Sequence, residues 1–318
     1  MRSLDGTGLT VSRACLGTMT FGSQTDAATA AQMLHLCLDG GINFVDTANV
    51  YNAGESERLL GQILGDCRKN LILASKVGMK VAEHPAGLTR KLIIAAAEAT
   101  LRRLNTDYLD VYYLHLPDWQ TPVEESLAAI DRLVRDGKVR HVGSSNYPSW
   151  QSCRMLCIAE KEGYRPVRIA QQMYNLIARR LEDEFLPFAR EFGVATIVYN
   201  PLAGGLLTGK HRSGTPEPGT RFDGNQAYLD RYWNQLNLEA VTRLAGIATA
   251  AGRSPVSLAL NWLLHHTPIE CVVLGASTLA QLEENLRALD EGGLDPATVS
   301  ACDEVWKTVY GPGPRYNR

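Results

Sequence analysis

The chain has no apolar run approaching the roughly 20 residues that a membrane-spanning helix requires. Its first residues, Met1-Arg2-Ser3-Leu4-Asp5-Gly6, lack the apolar stretch of a secretory signal, and no Asn-x-Ser/Thr acceptor occurs anywhere. Seven cysteines are scattered singly without one Cys-x-x-Cys pair, and an odd count in such surroundings reads as reduced thiols in a cytoplasmic chain. Cys15, Cys37 and Cys271 sit inside apolar runs and are expected to act as small core residues. An excess of either charge is also missing. With 32 basic and 34 acidic residues the net charge is −2, which gives no basis for a nucleic-acid or membrane-surface partner. The seven histidines show no metal-ligand spacing, and the adjacent His265 and His266 cannot share a helix face, so no metal is expected. Finally, no Gly-x-Gly-x-x-Gly follows the first strand, which removes the usual fingerprint of an open dinucleotide-binding sheet.

What remains is an alternation. After a hairpin signal around Asp5-Gly6-Thr7-Gly8, short apolar strands are expected at 14–16, 43–46, 71–76, 109–115, 141–145, 169–174, 195–200 and 270–274. Most are apolar throughout, as strands covered on both faces are. Helical patterns fall between them at 27–39, 56–64, 89–104, 123–136, 149–162 and 183–192. Two more, 238–251 and 255–264, precede the last strand, and 279–289 and 296–309 follow it. Leu92, Ala96, Ala99 and Leu101 share a face of the third helix, with Arg102 and Arg103 expected at its C-terminal dipole. Ser254-Pro255 is an N-cap followed by proline at the first helical position. Eight strands each followed by helix suit an α/β (β/α)8 TIM barrel with an N-terminal β-hairpin and extra C-terminal helices. The 318 residues suffice for it, and no linker divides 1–318. The longest irregular stretch, about 210–232, has the look of a functional loop over one barrel end.

Four polar residues stand where strands end. Asp46 closes Ile42-Asn43-Phe44-Val45, Lys76 closes Leu71-Ile72-Leu73-Ala74-Ser75, His115 closes 109–114, and Tyr51 follows Asp46 by five residues. In a barrel all four belong to the C-terminal face, where active sites lie. Each alone could cap a turn, snorkel or pack. Together they form a scheme for carbonyl reduction. A lysine with a buried stem needs a carboxylate, and Asp46 is one strand away. Lys76 would stabilise a phenolate at Tyr51 and lower its pKa, making the phenol a better acid, while His115 would donate a hydrogen bond to the carbonyl oxygen. The hydride must come from a cofactor.

At this point the chain resembles the aldo-keto reductase superfamily. The matching segments are Leu16 to Gly22, Gly41 to Ala48, Tyr51 with Gly54-Glu55-Ser56-Glu57, Ala74-Ser75-Lys76, Tyr113-Leu114-His115, Val142 to Asn146, Gln171 to Asn175, and Val273 to Ser277. They run in order along essentially the whole chain. Within the superfamily it is similar to the bacterial branch that also resembles potassium-channel β subunits. The resemblance implies a catalytic tetrad of Asp46, Tyr51, Lys76 and His115, and it implies cofactor contacts. Ser145, Asn146 and Gln171 match positions holding the nicotinamide amide, and Tyr199 matches the stacking ring. Leu202, Gly204, Lys210 and Arg221 match the pyrophosphate segment, and Gly275, Ser277, Gln281, Glu284 and Asn285 the adenosine end; Gly17, Thr18, Met19, Asp46, Asn200 and Pro201 are further implied contacts. Ser277 also precedes a helix, whose free N–H groups suit a phosphate. Many members have arginine where Gln281 stands; the channel-β-like branch has glutamine and is associated with NADP, so NADP(H) is expected ahead of NAD(H).

Gly204-x-x-x-x-Gly209-Lys210 imitates a phosphate loop, but His211 stands where a magnesium-binding Ser or Thr is required. Phe21, Tyr51, His115, Trp119 and Tyr232 are expected to line the substrate pocket, with Met19, Tyr228 and Trp233 further candidates. The expected partner is a small aldehyde, ketone or sugar, or the corresponding alcohol. The oligomeric state is left open. Two alternatives stand beside this reading: an NADP-sensing subunit with little turnover, and a barrel isomerase or aldolase forming a Schiff base on Lys76.

Overall fold

The computed structural model describes residues 1–82, 84–211 and 215–313. Eight strands close a parallel barrel: β3 (Ala14–Gly17), β4 (Phe44–Asp46), β5 (Ile72–Val77), β6 (Leu109–Leu114), β7 (Val139–Ser145), β8 (Val167–Met173), β9 (Ala195–Tyr199) and β10 (Cys271–Gly275), with β10 returning to pair with β3. The expected hairpin is present, β1 (Arg2–Leu4) antiparallel to β2 (Leu9–Val11). Its Leu4 and Val11 join the cluster inside the barrel, so the hairpin plugs the N-terminal end.

Strand side chains alternate, and that parity sorts the barrel into two cores. Cys15, Phe44, Ile72, Ala74, Val111, Tyr113, Ile169 and Ile197 fill the interior. Their neighbours Leu16, Val45, Leu73, Tyr112, Leu114 and Val198 face outward and form a larger core with the helices. The interior set continues in steps of two to Asp46, Lys76, His115, Gln171 and Tyr199, which therefore end up at the mouth of the C-terminal face. One interior position must stay bare. A Cβ on Gly143 would come within 2.3 Å of the Tyr113 ring, which occupies that space from the paired strand.

The helices are α1 (Ala27–Asp39), α2 (Glu55–Ile63), α3 (Arg90–Leu104), α4 (Val123–Arg135), α5 (Ser149–Glu162), α6 (Phe185–Phe192), α7 (Gln226–Tyr232), α8 (Gln235–Ala250), α9 (Pro255–His266), α10 (Leu279–Leu289) and α11 (Pro296–Tyr310). Side-chain caps fix many starts. Asp26 accepts from the Thr29 N–H at 2.8 Å, Ser254 from that of Ser257 at 3.0 Å, and Asp295 from that of Thr298 at 3.0 Å.

Two expectations need correction. The stretch read as irregular from 210 to 232 contains α7, started by Asn225 and packed through Tyr228 and Tyr232. The helix expected from 183 begins at Phe185 after a separate 3-10 turn, Arg180–Asp183, because Glu184 leaves the helical region at φ −148°. Arg102 and Arg103 stand in the last turn of α3 as expected, and the Arg103 guanidinium also reaches the buried Glu57. Residues 314–318 of the terminal segment lie outside the described residues. Among those described, no helix is long and apolar enough to cross a membrane.

Candidate active site

The tetrad expected from the strand ends is assembled. Lys76 is fully buried, and its ammonium has three acceptors: the Asp46 carboxylate, the Thr47 carbonyl at 2.9 Å and the Tyr51 hydroxyl oxygen at 3.2 Å. The Gln171 amide donates to the other Asp46 oxygen at 2.8 Å, so both carboxylate oxygens are engaged. The His115 ring meets the Tyr51 ring edge-on, with centroids 6.1 Å apart.

Tyr51 lies in a strained turn. Asn52, Ala53 and Gly54 all have left-handed backbone, with φ of 51°, 55° and 91°. For Ala53 that conformation costs about 1–2 kcal/mol, so contacts on both sides must hold it. The Asn52 amide donates to the Met19 and Phe21 carbonyls at 3.0 and 2.7 Å. Ser56, at the start of α2, donates to the Thr18 carbonyl at 2.8 Å and contacts the Thr18 and Thr47 hydroxyls. The Gly-Glu-Ser-Glu segment thus ties the Tyr51 turn to the ends of β3 and β4. In the sequence that segment carries only the family resemblance, and nothing there singles out Asn52.

Electrostatics at the site follow from burial. Desolvation depresses the Lys76 ammonium, but Asp46 and Tyr51 outweigh it and push its pKa up to about 12. Burial raises the pKa of Tyr51; Lys76 pulls the other way without overcoming it, and Asp46 adds to the rise. The expected net lowering at Tyr51 is therefore not what these residues alone produce. Burial and then Lys76 drive His115 down to about 3, leaving a neutral imidazole at physiological pH.

Above the tetrad opens a cavity of about 450 Å³, lined by Asp46, Tyr51 and Gln171 at its base. The structure brings Gly17, Thr18, Met19, Tyr199, Asn200, Pro201, Leu202, Gly204, Lys210, Arg221, Gly275, Ser277, Gln281, Glu284 and Asn285 onto this one wall. Ser145 and Asn146 are not in the lining. They lie one contact behind it, where the Tyr199 hydroxyl donates to the Asn146 side-chain oxygen Oδ1 at 2.7 Å. The Asn146 amide in turn donates to the His115 carbonyl at 3.0 Å. Lys76 and His115 are likewise not in the lining; the Lys76 ammonium contacts Asp46 and Tyr51, and the His115 ring contacts that of Tyr51.

The Aldo/keto reductase family model matches residues 13–307. The chain belongs to the aldo/keto reductase family. It is 36% identical over 323 residues to aflatoxin B1 aldehyde reductase member 2 of Rattus norvegicus, covering 95% of this chain and 87% of that protein. It is 34% identical to the uncharacterized oxidoreductase YrpG of Bacillus subtilis (strain 168), covering 98% and 95%. It is also 33% identical to a probable voltage-gated potassium channel subunit beta of Arabidopsis thaliana, covering 91% and 90%.

The donor set of this aldo/keto reductase fits the nicotinamide dinucleotide implied by the family. Gly204 and Gly205 turn in left-handed backbone at φ 70° and 102°, and a Cβ on Gly205 would lie 3.4 Å from the Lys210 ammonium. Bare backbone beside a cation is a cradle for an anion. Among the described residues the amide nitrogen of Asn200, which also lines the cavity, is buried without a partner. Ser277 and Gln281 are tied together at the start of α10, where the Ser277 N–H donates to the Gln281 side-chain oxygen at 2.9 Å.

Of the five residues expected at the substrate pocket only Tyr51 lines the cavity: His115 stands against the Tyr51 ring outside the lining, and the other three lie elsewhere. Phe21 is wholly buried in the core beside α1 and α2. Tyr232 is buried too, its hydroxyl accepting from the Asn175 amide at 3.1 Å. Trp119 is 73% exposed and packs on Trp150 beside a separate surface cleft. Of the further candidates, Met19 and Tyr228 line the cavity, whereas Trp233 packs against Phe222 and His211. Aromatic identity alone carried no information about which way these rings face.

Proposed function

We propose that this aldo/keto reductase reduces the carbonyl of small aldehydes, ketones or sugars with NADPH, Tyr51 serving as general acid. The observation that carries the reading is the Tyr51 hydroxyl, 3.2 Å from a buried ammonium that Asp46 holds charged, at the base of the cavity. A bound nicotinamide dinucleotide would supply the hydride. The chain's own residues handle the proton and the charge. Tyr51 starts protonated, as its raised pKa requires, and passes its proton to an oxygen that becomes far more basic than a phenolate as the carbonyl is reduced. Lys76 then stabilises the phenolate left behind. Neutral His115 offers an N–H to the same oxygen without competing as an acid. Asp46 keeps the ammonium in place, and Gln171 keeps Asp46 in place. The aldehyde reductases among the relatives support a carbonyl substrate. Gly204, Gly205 and Lys210 would take the pyrophosphate and Ser277 with Gln281 the adenosine phosphate.

The high pKa of Lys76 argues against a Schiff-base mechanism, since an amine held protonated is a poor nucleophile. The reading of an NADP-sensing subunit draws on the channel-subunit relatives. It predicts tight NADPH binding without turnover.

The test uses the purified chain with NADPH or NADH and 4-nitrobenzaldehyde. Tyr51→Phe should lower kcat roughly 10²–10⁴-fold, the usual contribution of a positioned acid, while NADPH still binds. Equal turnover in that variant defeats the assignment, and faster turnover with NADH defeats the cofactor preference.

A further inference from the structure

A second buried ion pair sits outside the barrel wall, on the far side of the strand that carries Lys76. Glu57, wholly buried at the start of α2, accepts from the Arg103 guanidinium Nε of α3 at 2.7 Å, and the Arg103 side chain is 8% exposed. The same carboxylate accepts from the Ser75 hydroxyl at 2.5 Å and from the Thr100 hydroxyl at 3.3 Å. Such a pair is costly to bury, and an apolar pair of like volume often serves stability as well or better. Its placement suggests what else it does.

Ser75 directly precedes Lys76 in β5. Because side chains alternate, the residue that Glu57 grips faces the helices while Lys76 faces the cavity, so holding one fixes the rotation of the other. Arg103 reaches the second half of the site. Its stem and guanidinium lie beneath Gly54, where a Cβ would come within 3.1 Å of them. Gly54 ends the left-handed turn that displays Tyr51. The close approach is built in from the helix side as well, since a Cβ on Gly61 of α2 would lie 2.2 Å from the Arg103 carbonyl. One ion pair therefore touches both the strand of the ammonium and the turn of the phenol.

We propose that Glu57 and Arg103 are positioning residues that set the Tyr51–Lys76 separation. The inference rests on the reductase reading above and deepens it. The pair touches neither cavity nor cofactor wall, so its loss should slow the proton-transfer step and spare cofactor binding. A displacement of about 1 Å at reacting groups can cost 10²-fold in rate.

The experiment compares the full chain with Glu57→Gln and Arg103→Lys. Glu57→Gln keeps an acceptor for Ser75 and loses the ionic grip on Arg103, while Arg103→Lys keeps the charge and loses the planar fork. Turnover of 4-nitrobenzaldehyde is expressed per NADPH-binding site, so unfolded molecules do not count. Expected is a roughly 10–100-fold lower kcat with unchanged NADPH Kd, and a solvent deuterium isotope effect on kcat at least as large as that of the parent. A kcat per binding site equal to the parent's overturns the proposal. So does loss of NADPH binding in step with turnover in both variants, which would make the pair scaffold alone. If the parent protein itself turns over no carbonyl, the reductase reading fails and this one is judged on ionisation. The near-ultraviolet tyrosinate signal of Tyr51, assigned by difference from Tyr51→Phe, should then appear at higher pH in Glu57→Gln than in the parent, because a loosened Lys76 stabilises the phenolate less. Identical ionisation overturns it.

Discussion

Replacing Lys76 by methionine, which preserves most of the stem and removes the charge, tests the electrostatic account of the site most directly. The two side chains of the Lys76–Asp46 pair are only 1% and 3% exposed. All three ammonium hydrogens have acceptors: Asp46, Thr47 and Tyr51. In Lys76→Met the Asp46 carboxylate keeps the Gln171 amide and loses its only buried cation partner in this constellation. Breaking a buried pair in this way costs about 3–5 kcal/mol, and for a chain of this length each kcal/mol lowers Tm by roughly 1.5 °C. The deficit should depend on pH with a definite sign. A buried carboxylate without its cation favours the neutral form, so the folded variant takes up a proton more readily than its unfolded chain. Its stability should therefore fall as pH rises, and the gap to the parent should be smallest in acid. Guanidinium unfolding followed by tryptophan fluorescence at mildly acidic and mildly alkaline pH measures this. Adding Asp46→Leu to Lys76→Met should recover most of the stability and none of the turnover. A deficit below about 1 kcal/mol, the scale of a solvated surface pair, or one independent of pH, refutes the reasoning.

Because His115 is held down to about 3, it stays neutral through the working range, and kcat should show no acid limb near the ordinary histidine value of 6.5. A pH profile with such a limb in the parent but not in His115→Gln would contradict that. The same lowered pKa means that the unfolded chain takes up the His115 proton first, so stability should be lost as pH falls from 6.5 toward about 3. The barrel interior offers a packing test. Gly143→Ala would set a methyl within 2.3 Å of the Tyr113 ring and 3.2 Å of the Ile169 carbonyl, so overpacking should cost about 1–3 kcal/mol. Tyr113→Leu in the same chain should relieve it, and denaturation midpoints of the single and double variants decide the matter.

The sequence by itself determined the alternation of strand and helix, the hairpin, and the strand ends at which the ionisable residues stand. These are local properties. Apolar runs bounded by turn residues define strands, and capping residues such as Asp26 and Ser254 define helix starts without reference to distant contacts. Strand parity even dictates that Asp46, Lys76 and His115 share the interior face with Phe44, Ala74 and Tyr113. Tertiary structure decided whatever depends on which surfaces meet. It turned Phe21 and Tyr232 into the core and left Trp119 against Trp150, because an aromatic ring packs equally well wherever a neighbour offers apolar surface. It also brought the Arg103 guanidinium to Glu57, a partner 46 residues away in the chain. And it set the ionisation of Tyr51: adjacency to Lys76 could be anticipated along the chain, but the raised pKa comes from how completely the surrounding protein excludes water, which only the assembled barrel fixes.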